Sequence, residues 1–444
     1  MSNRLYIETW GCQMNRHDAE RLAGALAVKS FELVDSLEQA DVVLFLGCMV
    51  RQKAEEKVYG RIGAIVEEKR RRCLVLGVGG CLGQVRGDDL LQRFSAIDFV
   101  FGSRAFDRVA EAIREAGVEG RRSTAFAEPI GVEESPVLRS SPVTAMVTIT
   151  EGCSNFCSYC VVPYARGPMR SRPWERVLDE VGEAVRSGYR EVQLLGQNVN
   201  SYGTDQSDGV DFVSLLERVA EAGPERIRFT SSHPRDVDDR LFEAMASLPA
   251  VMPHIHAACQ SGSDRILATM NRGTTQARLL EMVKSARRIV RGINFTTDII
   301  VGFPGETEDD FLQTLDLIDE ARFGSIFAAK YSPRPGTASV RLEDDVTAEE
   351  KDDRLQRLLT RQRAIAWEEN RRLVGDEVEV LIDGKGSDGG VFGRAPDHRT
   401  VTVAAHAEPG SIVRVCVTDA SAAALRGEPV ELPEAIGSVR KERP

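Results

Sequence analysis

Short apolar runs alternate with amphipathic stretches along the first part of the chain. The runs Leu5–Ile7, Val42–Leu46 and Leu74–Val78 have the length of buried strands, and Asp18–Val28 and Lys53–Glu68 carry helical spacing between them. This alternation predicts an open parallel α/β domain over residues 1–126. Residues 127–141 (AEPIGVEESPVLRSS) have no period and read as a linker. A second β/α series follows over residues 142–370. Its strands are Ala145–Thr150, Glu191–Leu195, Ile227–Ser231, His254–Ala258, Phe295–Val301 and Ser325–Tyr331. Its helices include Trp174–Ser187, Val213–Ala222, Gln276–Ile289 and Glu308–Ala321. Six such units predict a closed or partial (β/α)6 barrel, with chemistry at the carboxyl ends of its strands. A charged helix, Ala348–Leu373, comes next. Residues 372–436 then alternate strictly between turn residues, the pattern of a small antiparallel β-barrel.

Composition narrows the function classes. Of 444 residues, 42% are hydrophobic and 28% charged, the balance of a globular protein with real cores. No apolar run reaches bilayer length and the first residues lack a secretory pattern, so a cytoplasmic protein without a membrane partner is expected. A formal net charge of −11 excludes a broadly basic nucleic-acid binder but leaves room for a local basic surface.

Nine cysteines then change the picture. In a reducing compartment grouped thiols point to metal or catalysis. Cys153, Cys157 and Cys160 form C-x3-C-x2-C directly after a strand. Three thiolates on one loop suit a [4Fe–4S] cluster with one iron left open; a zinc site would require a distant fourth ligand. Cys12, Cys48 and Cys81 each end an apolar run and each follows glycine (LYIETWGC, DVVLFLGC, LVLGVGGC). Parallel strands would bring all three to one carboxyl edge, where α/β sheets hold ligands, with glycine clearing room for a bulky group. A second cluster is the reading; buried small residues are the alternative. Cys73 and Cys416 read as structural, and Cys259 as a small residue lining the site.

With Tyr159 before its third cysteine, the C-x3-C-x2-C loop resembles the radical SAM superfamily. Nearly the whole chain resembles its methylthiotransferase family, most closely the MiaB-type tRNA enzymes. The carrying segments are TWGCQMN (9–15), EGCSNFCSYCVVPYARG (151–167), LLGQNVNSYG (194–203), RFTSSHP (228–234), QSGSDRIL (260–267), IVGFPGET (300–307) and SPRPGT (332–337). The resemblance implies two [4Fe–4S] clusters, one on each cysteine set, and two S-adenosylmethionine molecules. It also implies a C-terminal TRAM barrel that binds RNA. The implied substrate is N6-isopentenyladenosine beside the tRNA anticodon, converted to its 2-methylthio derivative. The alternatives are threonylcarbamoyl-adenosine in tRNA or a ribosomal protein aspartate, and, outside the family, a non-enzymatic zinc or RNA-binding protein. HIHAAC before QSGSD and LGCMV at 46–50 depart from the family pattern beside the expected site.

Further residues are candidates at strand ends. Gln197, Asn198, Ser232, Gln260, Ser261 and Asp298 are polar anchors for S-adenosylmethionine, with Tyr159 beside it. The Gly302–Glu306 segment resembles the superfamily's adenine contact. Arg166, Arg170 and Arg172 follow the cluster loop and are expected on RNA phosphate or against the cluster's charge. Arg394 and Arg399 in GRAPDHRTV (393–401) are expected on RNA, although residues 372–436 hold six Lys/Arg against eleven Asp/Glu. Asp18 and Glu20 read as helix-start charges, and Lys69–Arg72 as a solvated helix end. An electron donor such as flavodoxin or ferredoxin is an expected partner, and the chain is expected to be a monomer.

Overall fold

The protein, described by a computed structural model over residues 3–50, 52–126, 136–386 and 389–430, has three parts in chain order. The first is a six-stranded, all-parallel sheet in the order β2-β1-β3-β4-β5-β6. Its strands are β1 (Arg4–Trp10), β2 (Glu32–Leu33), β3 (Val42–Gly47), β4 (Val75–Gly79), β5 (Phe99–Phe101) and β6 (Ser123–Ala125). Helices α1 (Gln13–Val28), α2 (Gln52–Arg71), α3 (Gly80–Arg93) and α4 (Phe106–Arg114) cover it. Both faces are apolar: Val43, Phe45 and Leu76 fill one, Val42, Leu44 and Phe99 the other. That is why these strands read as continuous hydrophobic runs.

The second part is the expected partial barrel. Strands β7 (Thr144–Thr148), β10 (Glu191–Leu195) and β11 (Arg226–Phe229) pair in parallel, as do β12 (His254–His256), β13 (Asn294–Val301) and β14 (Ser325–Lys330). Isolated bridges Ile227–Val251 and Ser232–Ala257 join the two halves. The short strands β8 (Thr150–Glu151) and β9 (Arg170–Ser171) form a ribbon at the top. Helices α5 (Val162–Arg166), α6 (Trp174–Arg186), α7 (Phe212–Glu221), α8 (Asp239–Ser247), α9 (Asp264–Thr269), α10 (Gln276–Ile289) and α11 (Glu308–Ala321) follow the strands, and α12 (Ala348–Arg371) runs beside β14. The start of α11 is a capping box, Thr307 with Asp310.

The third part is a closed five-stranded barrel, β15 (Glu377–Lys385), β16 (Val391–Arg394), β17 (Thr400–Val403), β18 (Ile412–Ala420) and β19 (Leu425–Pro429). One feature departs from the expected all-antiparallel pairing: β17 and β19 run parallel, which closes the ring. Within the expected linker, residues 127–135 lie outside the described residues, as do 431–436 of the expected tail. The rest of the linker is docked, with Leu138 and Ser140 bonded to Glu20 on α1.

The parts are stacked along the barrel axis. The first domain sits over the carboxyl ends of the barrel strands through the Arg21–Glu151 ion pair (2.5 Å), Ser103 Oγ on the Ala165 carbonyl and Met14 against Met146 and Leu195. The small β-barrel lies at the other end. Arg226 donates to the Arg394 carbonyl, Arg228 to those of Ala395 and Pro396, Asn294 to that of Asp397, and His254 stacks on His398 at 4.5 Å. Among the described residues no helix is long and apolar enough to cross a membrane.

Candidate active site

Strands β1, β3 and β4 are neighbours, so their carboxyl ends deliver Cys12, Cys48 and Cys81 to one edge. The Cys48 amide bonds the Trp10 carbonyl (3.0 Å), and the Cys48 sulfur accepts from the Val50 amide (3.3 Å). Asn15, fully buried, ties the ends of β1 and β3 by donating to the carbonyls of Trp10 and Leu46. The glycines have a further reason besides the one expected. A Cβ on Gly11 would lie 2.2 Å from the Cβ of Cys48, at φ +145°, and one on Gly80 would meet the Gly47 carbonyl at 3.2 Å, at φ +76°. The strand ends crowd one another, and glycine is required by protein contacts. Cys12 is exposed while Cys48 and Cys81 are buried. A hydrogen bond with Cys48, reinforced by the charge of Arg166, draws the Cys12 thiol below its ordinary range; the same bond and burial push Cys48 up.

The second set lies opposite. Cys153 closes its loop by bonding the Gly167 carbonyl (3.1 Å), and the Cys160 amide bonds the Cys157 carbonyl (2.9 Å). A segment that sequence reasoning passed over, Thr269–Arg272, grips this loop. The Ser158 amide donates to the Met270 carbonyl (2.9 Å), Ser158 Oγ to that of Thr269 (2.8 Å), and Asn271 to those of Asn155 and Phe156. Arg272 donates to the Cys157 sulfur at 3.3 Å. Burial pushes the Cys160 thiol up to about 12. Tyr159 packs among Ile266, Met270, Phe303 and Tyr331. Helix α5 starts two residues after Cys160 and ends at Arg166, whose Nε donates to the Cys81 sulfur at 3.3 Å. Five residues of helix therefore join one cysteine set to the other.

Around these thiols several buried polar atoms have no hydrogen-bond partner: Thr150 Oγ1, both amide atoms of Gln197, Asn200 Oδ1, Ser232 Oγ, His233 Nε2 and Arg272 Nε. Such atoms are costly unless a ligand satisfies them. A cavity of about 250 Å³ opens here, lined by Cys153, Asn155, Met169, Asn200, Arg235 and Asp236. A larger groove, about 880 Å³, lies outside the barrel between α8 and α10 and is lined by no cysteine. Burial, with the charge of Arg272, pushes the His233 imidazole down to about 3, so it is neutral.

The expected cofactor anchors divide. Gln197 and Ser232 present unpaired polar atoms, and Gln260, at φ +77°, donates its amide to the Asp298 carbonyl at 2.8 Å. Asp298 is half-buried and bonds His256 Nε2 at 3.0 Å. Asn198 is occupied by Asp236 and the His233 amide. Two expectations are corrected. Ser261 Oγ is buried against Thr314 and the Ser263 amide, where it shapes the start of α9. Glu306 is buried on Arg354 and the Gly302 amide, so its carboxylate closes the Gly302–Glu306 turn.

The basic and acidic residues also move. Asp18 and Glu20, expected as helix-start charges, are buried, on Arg166 and on His17 with Ser140 respectively. Arg166 is buried between Asp18 and Cys81, and Arg172 against Glu180, so neither is free to meet phosphate; Arg166 keeps the other expected role, against thiol charge. Arg170 stays partly exposed at the top. Arg394 faces Asp383 and His398, and Arg399 bonds Asp397 and Asn370, in the loop that seals the opposite end of the barrel. That loop forms the joint between the two barrels, with Arg399 engaged in it and Arg394 still partly exposed. Cys259 is buried, Cys416 half-buried and Cys73 exposed, the last against expectation. Of the Lys69–Arg72 run, Lys69 and Arg72 bond the carbonyls of Ala96, Ala40 and Leu37 and are not merely solvated.

Each set brings three thiols together beside one arginine. Among the described residues no three Cys, His, Asp or Glu close on a single ion. A four-iron cube binds each thiolate through a separate iron and spreads its ligands wider, and soft thiolates suit it. Together with the unpaired polar atoms, the donor set fits such a cluster and a polar cosubstrate.

The fold and its thiol-bearing top define a class, enzymes built on a radical SAM barrel: the Radical SAM superfamily matches residues 147–318, with the TRAM domain at 371–430 and Uncharacterized protein family UPF0004 at 4–102. A solved radical S-adenosylmethionine methyltransferase, TsrM from Kitasatospora setae, shares the fold at a TM-score of 0.57 and 17% identity, over 76% of this chain and 74% of that one. Similarity is much greater to the tRNA-2-methylthio-N(6)-dimethylallyladenosine synthase of Geobacter sulfurreducens, 43% identical over 96% of this chain and 97% of that one. The synthase of Thermotoga petrophila is 41% identical over 99% and 100%. The chain belongs to this synthase family.

Proposed function

We propose that the chain replaces the C2 hydrogen of N6-isopentenyladenosine, beside the anticodon of tRNA, with a methylthio group. The observation that carries this reading is the convergence of the two cysteine sets on one space, joined by α5 from Cys160 to the Arg166–Cys81 contact. Full-length likeness to the synthases supports the substrate.

The adenine C2–H is unactivated, and no side chain here is a base strong enough to remove it. Clusters on the two cysteine sets, with S-adenosylmethionine, supply the one-electron and sulfur chemistry that the step requires. The chain's own residues bind and orient. Cys153, Cys157 and Cys160 hold the radical-site cluster, and Cys12, Cys48 and Cys81 the second. Gln197, Ser232, Gln260 and Asp298, with the Gly302 turn, receive the cosubstrate's polar groups. His233, neutral, can donate or accept a hydrogen bond there without adding charge. The first domain, seated over the strand ends, keeps water from the space between the sets. A flavodoxin or ferredoxin supplies electrons, and the enzyme works as a monomer in the cytoplasm.

The test measures iron and acid-labile sulfide per chain after anaerobic purification, with each cysteine set replaced by alanine in turn. About eight irons in the parent and about four in either triple variant is the expected result. Zinc in place of iron would overturn the reading. Nucleoside analysis of tRNA from a strain lacking the protein should show isopentenyladenosine accumulating; loss of a threonylcarbamoyl derivative instead would reassign the substrate.

A further inference from the structure

Two arginines stand in matching positions, one at each cysteine set, and differ in one respect. Arg272 and Arg166 are each 4% exposed, and each donates to a cysteine sulfur at 3.3 Å, Cys157 and Cys81 respectively. Arg166 is also ion-paired with the buried carboxylate of Asp18. Arg272 has no such partner among the described residues: its other contact is the neutral Ala258 carbonyl, and its Nε is buried without a hydrogen bond. The nearby Asp236 is engaged by Asn198 and Arg235. An unmatched guanidinium in the interior is costly unless negative charge stands beside it. The negative charge within hydrogen-bond reach of Arg272 is that of Cys157 and whatever its loop binds, while Asp298 is engaged by His256.

We infer that Arg272 is the counter-charge of the radical-site cluster, raising its reduction potential so that a low-potential one-electron donor can reduce it. Arg166, neutralised by Asp18, exerts a weaker pull on the second cluster. Reduction adds one electron to the cluster and breaks no bond; the electron comes from the donor protein, or from dithionite in the test. Positive charge and N–H bonds at the sulfurs stabilise the more negative state, which moves the potential upward. Arg272 is thus a positioning and tuning residue. The backbone sets its place: Asn271 at φ +55° turns the chain so that the Arg272 amide bonds the Leu267 carbonyl (2.9 Å) and the side chain runs back under the cysteine loop.

The inference rests on the cluster reading above, and the test separates the two. In the full chain carrying Cys12, Cys48 and Cys81→Ala, iron is counted first; about four irons per chain are expected. Far less iron in that background would sink the cluster reading and this inference with it, before any arginine is touched. Arg272→Lys, Arg272→Met and Arg272→Gln are then added and titrated with dithionite, the reduced cluster being read by electron paramagnetic resonance. The midpoint should move to more negative values in the Met and Gln variants and stay near the parent in the Lys variant. A Met midpoint equal to the parent's, or equal shifts in Lys and Met, would overturn the assignment. Iron lost from Met and Gln but kept in Lys supports the same charge requirement, whereas iron lost from all three overturns it in favour of shape.

Discussion

At Gly11 one methyl group is already too many. Its Cβ would stand 2.2 Å from the Cβ of Cys48, and φ +145° is poorly tolerated by any other residue. Overpacking of this kind costs about 1–3 kcal/mol, and the crowded contact is a cysteine. Gly11→Ala should therefore lower the urea midpoint and strip iron from the second set while leaving the Cys153 set loaded; unchanged iron would contradict it. Asp18 makes a second case. Asp18→Asn leaves Arg166 buried without its carboxylate, and breaking one side of a buried pair costs about 3–5 kcal/mol. Equilibrium unfolding that shows a loss below about 1 kcal/mol would refute the pairing. The cysteines were readable in the chain because spacing and position after a strand carry the chemistry. Arg272 and Asp18 were not: nothing in TMNRG or RHDAE says that the side chain turns inward, since burial depends on elements more than a hundred residues away.

Elements were legible wherever their period was clean. The predicted Gln276–Ile289 and Glu308–Ala321 are the observed α10 and α11. The sequence left open the role of charged loops whose partner lies in another domain. The 394–399 loop resembles an RNA-binding turn, yet it seals the amino end of the barrel, where His398 stacks on His254 of the departing HIHAAC segment. His254 and His256 both bond Thr296 Oγ1 at 3.0 Å, so this segment forms a polar network inside the barrel. Burial, aided by Arg228 and Arg394 and the neighbouring His256, depresses His398 to about 3; burial and His398 depress His254 as well. Unfolded histidine titrates near 6.5, so between those values the unfolded chain binds more protons and stability falls as pH falls. By pH 5 the loss for one such group is on the order of 2 kcal/mol. His398→Phe keeps a ring against His254 and removes this titration. Its melting temperature should fall less than the parent's between pH 7 and 5; parallel curves would refute the argument.

For the molecule as a whole, the separation of the two ends decides where RNA can be read. The cysteines lie at the carboxyl ends of the barrel strands and the small β-barrel at the amino ends, where its loop is committed to the joint. At the carboxyl end, Arg170 and Arg104 lie close enough for their charges to repel, with the charge of Glu151 opposing that repulsion at Arg104. We propose that this exposed end meets the tRNA phosphates through Arg170. Arg170→Ala should weaken tRNA binding and reduce the slope of log affinity against log salt by about 1. Arg399→Ala should leave that slope alone, having lost only bonds to Asp397 and Asn370. The reverse result would return RNA recognition to the barrel loop.

By itself the sequence determined the three-part order, the strands and helices, the two cysteine sets and the likeness to a family, because each of these is local in the chain: a period, a spacing, a residue after a strand. Only the tertiary structure decided that the glycines serve strand crowding and that Asp18 belongs to Arg166. It alone showed Arg272 beneath Cys157 without a carboxylate, and the supposed RNA loop closing the barrel. The physical reason is common to all four. Charge and space are settled by which distant elements meet, and a buried charge takes its role from its neighbours in space, not from its neighbours in sequence.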